Sequence, residues 1–280
     1  GLLGQVNFSA RTPNLGAPAP GQTSSAGLSF PNAVALDGEN NLLVGDGNSR
    51  VLLFFPQAVS VSAATFLAGA PLAPGMLASL FGTELGEQTG AAGLPLPTTL
   101  ADTQVVVDDT PAPLLYVSPG QVNYQVPSSL EPGTVARVQV MRASTGRVVA
   151  GGNLLVAPAA AGIFGVLNED GSPNSAGNAA ARGSLIQVFA TGQGAVRAAP
   201  PDGVPAPPAP LAETPARPLV TIGTSGERDV TAEFSGLAPG FVGLWQINAR
   251  VPAATVPSAR VPLVVRYAGS ASNVVFIAVR

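Results

Sequence analysis

Between Tyr116 and Pro127 the chain reads YVSPGQVNYQVP. A Ser-Pro-Gly turn hands over to Gln121-Val122-Asn123-Tyr124-Gln125-Val126, and Pro127 ends the run. Val122, Tyr124 and Val126 fall at every second position, so they share one face of a strand, while Gln121, Asn123 and Gln125 share the other. The phrase returns in the stretch Ala238-Pro239-Gly240 to Ile247, closing at Val251-Pro252. A second phrase repeats too: Gly75 to Gly86 carries Gly, Leu, Phe, Thr and Gly at the spacings found from Gly183 to Gly194. Two echoes in the same order predict a duplicated β module. A helix is disfavoured in both by Gly and β-rich flanks.

Short strands at turn-spaced intervals surround these phrases. Thr103–Val107, Pro113–Val117, Ala136–Arg142 and Arg147 to Val156 lie in the first copy. Leu219–Ile222, Thr231–Phe234, Val242–Ile247, Arg260–Tyr267 and Asn273–Val279 lie in the second. About seven strands per hundred residues, punctuated by Gly and Pro, predict an immunoglobulin-like sandwich. The chain has 33 glycines and 28 prolines to make those turns. The expected organisation is therefore all-β: two tandem immunoglobulin-like sandwiches over 64–160 and 164–280. Residues 57–64 read as a linker and 157–163 as a small-residue junction. The Pro- and Ala-rich stretch from Ala198 to Pro218 reads as a stiff loop between strands, with a docking segment as the other reading.

Composition narrows the chemistry. There is no Cys and no His, which removes disulfides, thiolates, the usual triad base and most zinc sites. All thirteen basic residues are Arg, the net charge is −3 and no basic run occurs, so nucleic acid is not an expected partner. No window of about 18 apolar residues runs unbroken, so no membrane span is expected. Asp108, Asp109, Glu169 and Asp170 fall in turns, where acids cap backbones. The oxygen-rich Asn168–Asn174 loop lacks the frame of a calcium hand. No catalytic residue, metal or cofactor is expected. Gly1-Leu2-Leu3-Gly4 lacks the regions of a signal peptide, and a start at Gly reads as a processed chain. Asn7-Phe8-Ser9 has the form of a glycosylation sequon.

Residues 1–56 differ from the rest. Leu28 to Asp37, Asn40 to Asp46 and Val51 to Phe55 predict three strands joined at Asp37-Gly38-Glu39-Asn40 and at Asp46-Gly47-Asn48. The spacing of Pro31, Val34, Asp37, Asn41, Leu42, Asp46, Asn48 and Arg50 resembles one blade of an NHL-type propeller. A propeller needs roughly four to eight blades to remove its edges, so a single blade-like meander needs another partner.

From residue 64 on, the phrases Ala73-Pro74-Gly75 to Gly86, Pro111 to Pro127, Ala157 to Phe164, Ala190-Thr191-Gly192-Gln193-Gly194, Gly236 to Ile247 and Ala271-Ser272-Asn273 resemble the C-terminal domain family of secreted acidobacterial (Solibacter-type) proteins. The resemblance implies a secreted protein with tandem immunoglobulin-like sandwiches, often behind NHL-type propellers, and no established activity. The departure is the single blade.

These readings converge on a secreted, non-enzymatic structural protein that self-assembles into an oligomer or polymer, an extracellular filament or surface-layer subunit, by strand addition from the N-terminal segment. The expected donors are Gly4–Phe8 and Val51–Phe55, with Val6, Phe8, Leu52 and Phe54 entering pockets of a neighbour. The other reading is a carbohydrate- or surface-binding adhesion module of a larger secreted protein, with Trp245, Tyr116, Tyr124 and Tyr267 as stacking platforms for a glycan. Alternation places Trp245 and Tyr124 in the core instead.

Overall fold

The structure, a computed structural model, describes residues 28, 31–36, 42–47, 50–54, 56–223 and 229–280. It divides into two compact units, one ending at Pro56 and one running from Gln57 to Arg280. The protein is all-β.

The first unit is an antiparallel meander of β1 (Ala33–Leu36), β2 (Leu42–Asp46) and β3 (Arg50–Phe54). Val34 stands opposite Val44, and Val44 opposite Leu52. The expected turn at Asp37-Gly38-Glu39-Asn40 lies outside the described residues, as does Asn48 of the second.

The second unit holds two sandwiches. The first contains β4 (Val59–Ser62), β5 (Leu77–Phe81), β6 (Gly90–Ala91), β7 (Thr103–Val107), β8 (Thr110–Ala112), β9 (Leu114–Val117), β10 (Gln121–Gln125), β11 (Val135–Arg142) and β12 (Val148–Leu155). One sheet runs β4-β5-β10-β9-β6 and the other β12-β11-β7-β8. Taken as strands A to G, this is A-B-E-D facing G-F-C-C′, the immunoglobulin arrangement. Leu80, Leu114, Val122 and Tyr124 from one sheet meet Val105, Val107, Val138 and Val140 from the other in a single core. Burying each such side chain contributes about 1.5–3 kcal/mol, which replaces any need for an inter-sheet disulfide. At the end of β11, buried Arg142 donates to the carbonyls of Leu85 (2.7 Å) and Glu84 (2.8 Å), and its Nε lies 3.3 Å from the Glu87 carboxylate.

The second sandwich repeats the plan with β13 (Gly162–Asn168), β14 (Leu185–Thr191), β15 (Leu219–Ile222), β16 (Asp229–Thr231), β17 (Phe234–Leu237), β18 (Trp245–Arg250), β19 (Ser258–Tyr267), β20 (Ser270–Ala271) and β21 (Val275–Val279). Its sheets are β13-β14-β18-β17 and β16-β15-β19, with β20 and β21 both paired to β19. Trp245, Ile247, Ile186 and Val188 pack against Val220, Ile222, Leu263 and Val265.

The duplication is visible residue by residue. Val122 pairs with Leu80 in the first copy and Ile247 with Val188 in the second. Gln121 Nε2 donates to Asn123 Oδ1 at 2.7 Å, and Gln246 Nε2 to Asn248 Oδ1 at 3.0 Å. So QVNYQVP matches QINARVP, and Trp245 is not the counterpart of Tyr124. Gln121 follows Gly120 directly, whereas Phe241 to Trp245 intervene between Gly240 and Gln246. The second-copy strand therefore starts at Trp245, three residues later than its alternation suggests.

Two further expectations fail. Residues 57–64 are not a linker: β4 pairs with β5 along Val59–Ser62, so the first sandwich begins before residue 64. The junction at 157–163 likewise ends inside β13, which pairs with β14 from Gly162. Both are first strands of their sandwiches.

The Pro-rich excursion is an ordered connection with a structural task. Residues 212–214 run beside β17, the Leu237 N–H donating to Ala212 O and the Thr214 N–H to Ser235 O. Farther back the excursion grips the first sandwich. The Gly203 N–H donates to Gln125 Oε1 (2.7 Å), the Ser128 N–H to Asp202 Oδ2 (2.9 Å) and the Leu96 N–H to Gly203 O (2.8 Å). A fourth bond crosses nearby, from the Leu77 N–H to Thr191 Oγ1 (2.8 Å). Next to it, Gly192 at φ 88° lies so close to Ala160 that a Cβ would fall 1.9 Å from the Ala160 carbonyl oxygen.

Candidate functional site

The expected donor residues divide. Val6 and Phe8 lie outside the described residues. Leu52 is half-buried on β3, and Phe54 stands on the same strand opposite Leu42, its side chain outside what the structure describes. β3 is paired to β2 along its whole length. Val51 of β3 is 66% exposed, and β1 is the opposite edge strand of the three. All four of its residues are exposed, Val34 at 69% and Leu36 at 66%. Among the described residues no strand pairs the outer side of β1 or β3.

The second unit closes several of its edges. The outer side of β12 is met at both ends, by the Ala58 N–H on Gly151 O and the Leu72 N–H on Leu155 O. β17 is covered by residues 212–214. Two asparagines do the same with side chains. A carboxamide has the donor and acceptor of a peptide unit, so it can satisfy one edge residue completely. Asn174 takes the Ala278 N–H at Oδ1 (2.7 Å) and donates from Nδ2 to Ala278 O (3.0 Å) on β21. Asn273 takes the Ile163 N–H (2.7 Å) and donates to Ile163 O (3.2 Å) on β13. Ser270 Oγ accepts the Ala161 N–H at 3.0 Å, one pleat earlier. Sequence reasoning missed both asparagines, because their partners lie more than a hundred residues away and no local pattern marks them.

A groove of about 540 Å³ opens beside Ala161, just before β13 begins. One wall is Ala157–Ala161, a second is Ala268–Asn273, and Ser62, Thr65 and Leu67 reach in from the first sandwich. No ionisable side chain lines it.

The remaining sequence candidates do not converge. Tyr124 and Trp245 are fully buried, the Tyr124 hydroxyl donating to Ser60 Oγ (2.9 Å) and Trp245 Nε1 to Ser235 Oγ (2.9 Å). Burial pushes the Tyr124 phenol up to about 12 against the smaller opposing pull of the Ser60 bond. Tyr267 packs edge-on to Trp245 at 5.5 Å, and Tyr116 is half-buried. None of the four is a free stacking face. Asp108 and Asp109 form the β7–β8 turn at φ 44° and 66°, Asp108 accepting the Arg137 N–H. Glu169 accepts the Leu185 N–H, and the Ser172 hydroxyl and N–H hold the exposed Asp170 carboxyl below its usual range. In the Asn168–Asn174 loop the oxygens serve amide donors: Asn168 Oδ1 accepts from Asn174, and Ser172 Oγ from Asn178. Among the described residues no group of three or more acidic, His or Cys side chains is placed to hold a metal ion. No helix among them is long and apolar enough to cross a membrane.

No protein-family model and no curated protein matches the chain. Solved structures resemble it at low similarity. SGBP-B of the Bacteroides ovatus mixed-linkage glucan utilization locus, solved with a mixed-linkage heptasaccharide, is 12% identical with a TM-score of 0.34, over 86% of this chain and 52% of that one. The BSP domain of a biofilm associated protein is 10% identical with a TM-score of 0.26, over 92% and 47%. Bovine butyrophilin is 12% identical with a TM-score of 0.21, over 79% and 98%. The chain thus spans about half the length of the first two. Likeness this slight carries no argument about what the protein does.

Proposed function

We propose that the protein is an extracellular, non-enzymatic structural subunit that associates with copies of itself, the N-terminal unit lending a strand to a neighbour. One observation carries this reading: among the described residues β1 is a wholly exposed, uncharged edge strand, Ala-Val-Ala-Leu, of a small three-stranded sheet that needs a packed face for stability. Pairing its free backbone with a neighbour removes an edge and covers Val34 and Leu36 together. The adhesion reading loses its platforms, since Trp245 and Tyr124 are core residues with satisfied polar ends. The resemblance to secreted acidobacterial domains supports an extracellular setting.

Light scattering across a concentration series, on the full chain and on a Val34→Glu/Leu36→Glu variant, tests the proposal. Two charges on an exposed edge strand block pairing without touching a core. The wild type is expected above monomer mass and the variant at monomer mass. A wild type that stays monomeric, or a variant that assembles equally well, overturns it. The blade-like phrase favours a second reading, in which β1 pairs with another blade inside a larger protein; a monomeric wild type points there.

A further inference from the structure

Resting on that self-association reading, we propose that the acceptor for β1 is the groove beside the start of β13 in a second copy, with Ser270 and Asn273 as its removable seals.

Three observations meet here. The first is spacing. Outward-facing backbone groups on a strand edge recur every second residue. Ala161 and Ile163 stand two apart, and the groups that Ser270 and Asn273 hold are those an added strand would take. The second is the cleft itself. Its walls of Ala157–Ala161 and Ala268–Ala271 are mostly small, so about 540 Å³ is left beside a peptide edge, without a charge to repel an apolar strand. The third is the donor. β1 has four uncharged residues, a side that no strand pairs among the described residues, and Val34 and Leu36 on one face to fill the space, with Ala33 and Ala35 on the other. Docking requires the seals to swing aside. Asn273 lies in the β20–β21 connection and Ser270 opens the two-residue strand β20, and in each case a side-chain rotation frees the edge without moving the backbone. The strand then restores the hydrogen bonds that the seals give up.

The native chain has no Cys, so engineered cysteines report contact cleanly. Full-length Val34→Cys is mixed with full-length Ala271→Cys, and with Thr145→Cys as a control on a distant exposed turn. A disulfide-linked heterodimer with Ala271→Cys and none with Thr145→Cys is expected under mild oxidation. Separately, Asn273→Ala is expected to tighten self-association about tenfold, since two hydrogen bonds no longer need to break. If association is lost in Val34→Glu/Leu36→Glu while no Ala271 cross-link forms and Asn273→Ala leaves affinity unchanged, this acceptor is wrong and self-association stands. If the wild type does not associate at all, both fall together. The cross-link keeps Asn273 in place, so it remains decisive if Asn273→Ala folds poorly.

Discussion

Tyr124 sets how the fold responds to alkali. Its phenol is buried and its pKa lies near 12, about two units above the free value. Below about pH 10 both folded and unfolded chains keep this proton, and the full stability is present. Above that, the unfolded chain releases the proton while the folded one retains it, so stability falls by about 1.4 kcal/mol per pH unit until the folded pKa is passed. The total loss is about 3 kcal/mol, most of it falling between pH 10 and 12. The chain is well suited to reveal this, since it has no Lys, no Cys and only three tyrosines. Tyr124→Phe removes the titration and leaves Ser60 without its donor, costing about 1 kcal/mol near neutrality. The two stability curves should therefore cross between about pH 10 and 11, with the variant the more stable protein at pH 12. Urea unfolding of both, followed by circular dichroism from pH 8 to 12, measures the difference directly. A wild-type advantage that stays constant over the whole range would refute the argument that this phenol is held neutral by burial.

Two substitutions probe the frame around the cores. Gly192→Ala places a methyl 1.9 Å from the Ala160 carbonyl oxygen at φ 88° and should cost more than about 3 kcal/mol in chemical denaturation, whereas Gly93→Ala, with nothing within 4 Å, should stay within about 0.5 kcal/mol. Arg142→Met strips the donors from the Leu85 and Glu84 carbonyls and should cost about 3 kcal/mol, read as a lower urea midpoint at unchanged slope.

The fold was legible wherever strands carry bulky residues on alternate positions. Val105 with Val107, Val122 with Tyr124 and Val138 with Val140 all point into the first core as their spacing implies. Legibility failed where a buried position needs a hydroxyl. Ser60 on β4 partners the Tyr124 phenol, and Ser235 on β17 partners the Trp245 indole. In each case the serine breaks the apolar pattern of its own strand because a large aromatic elsewhere needs a polar partner. That is why β4 reads as a linker and why Phe234–Leu237 is displaced from the expected Thr231–Phe234. Only part of the site could be read. Leu52 lies on β3, whose outer side no strand pairs among the described residues. The exposure of all four β1 residues and the side-chain bonds on β13 depend on packing and on contacts that span the whole second sandwich.

The bonds joining the two sandwiches have a mechanical meaning. Four hydrogen bonds from backbone amides cross that joint, from Leu77, Leu96, Ser128 and Gly203. Two beads on a flexible string swivel freely, whereas bending this pair at its joint means breaking those bonds. The distance between two grips on residues 57–280 is set by that joint rather than by the reach of a loose tether.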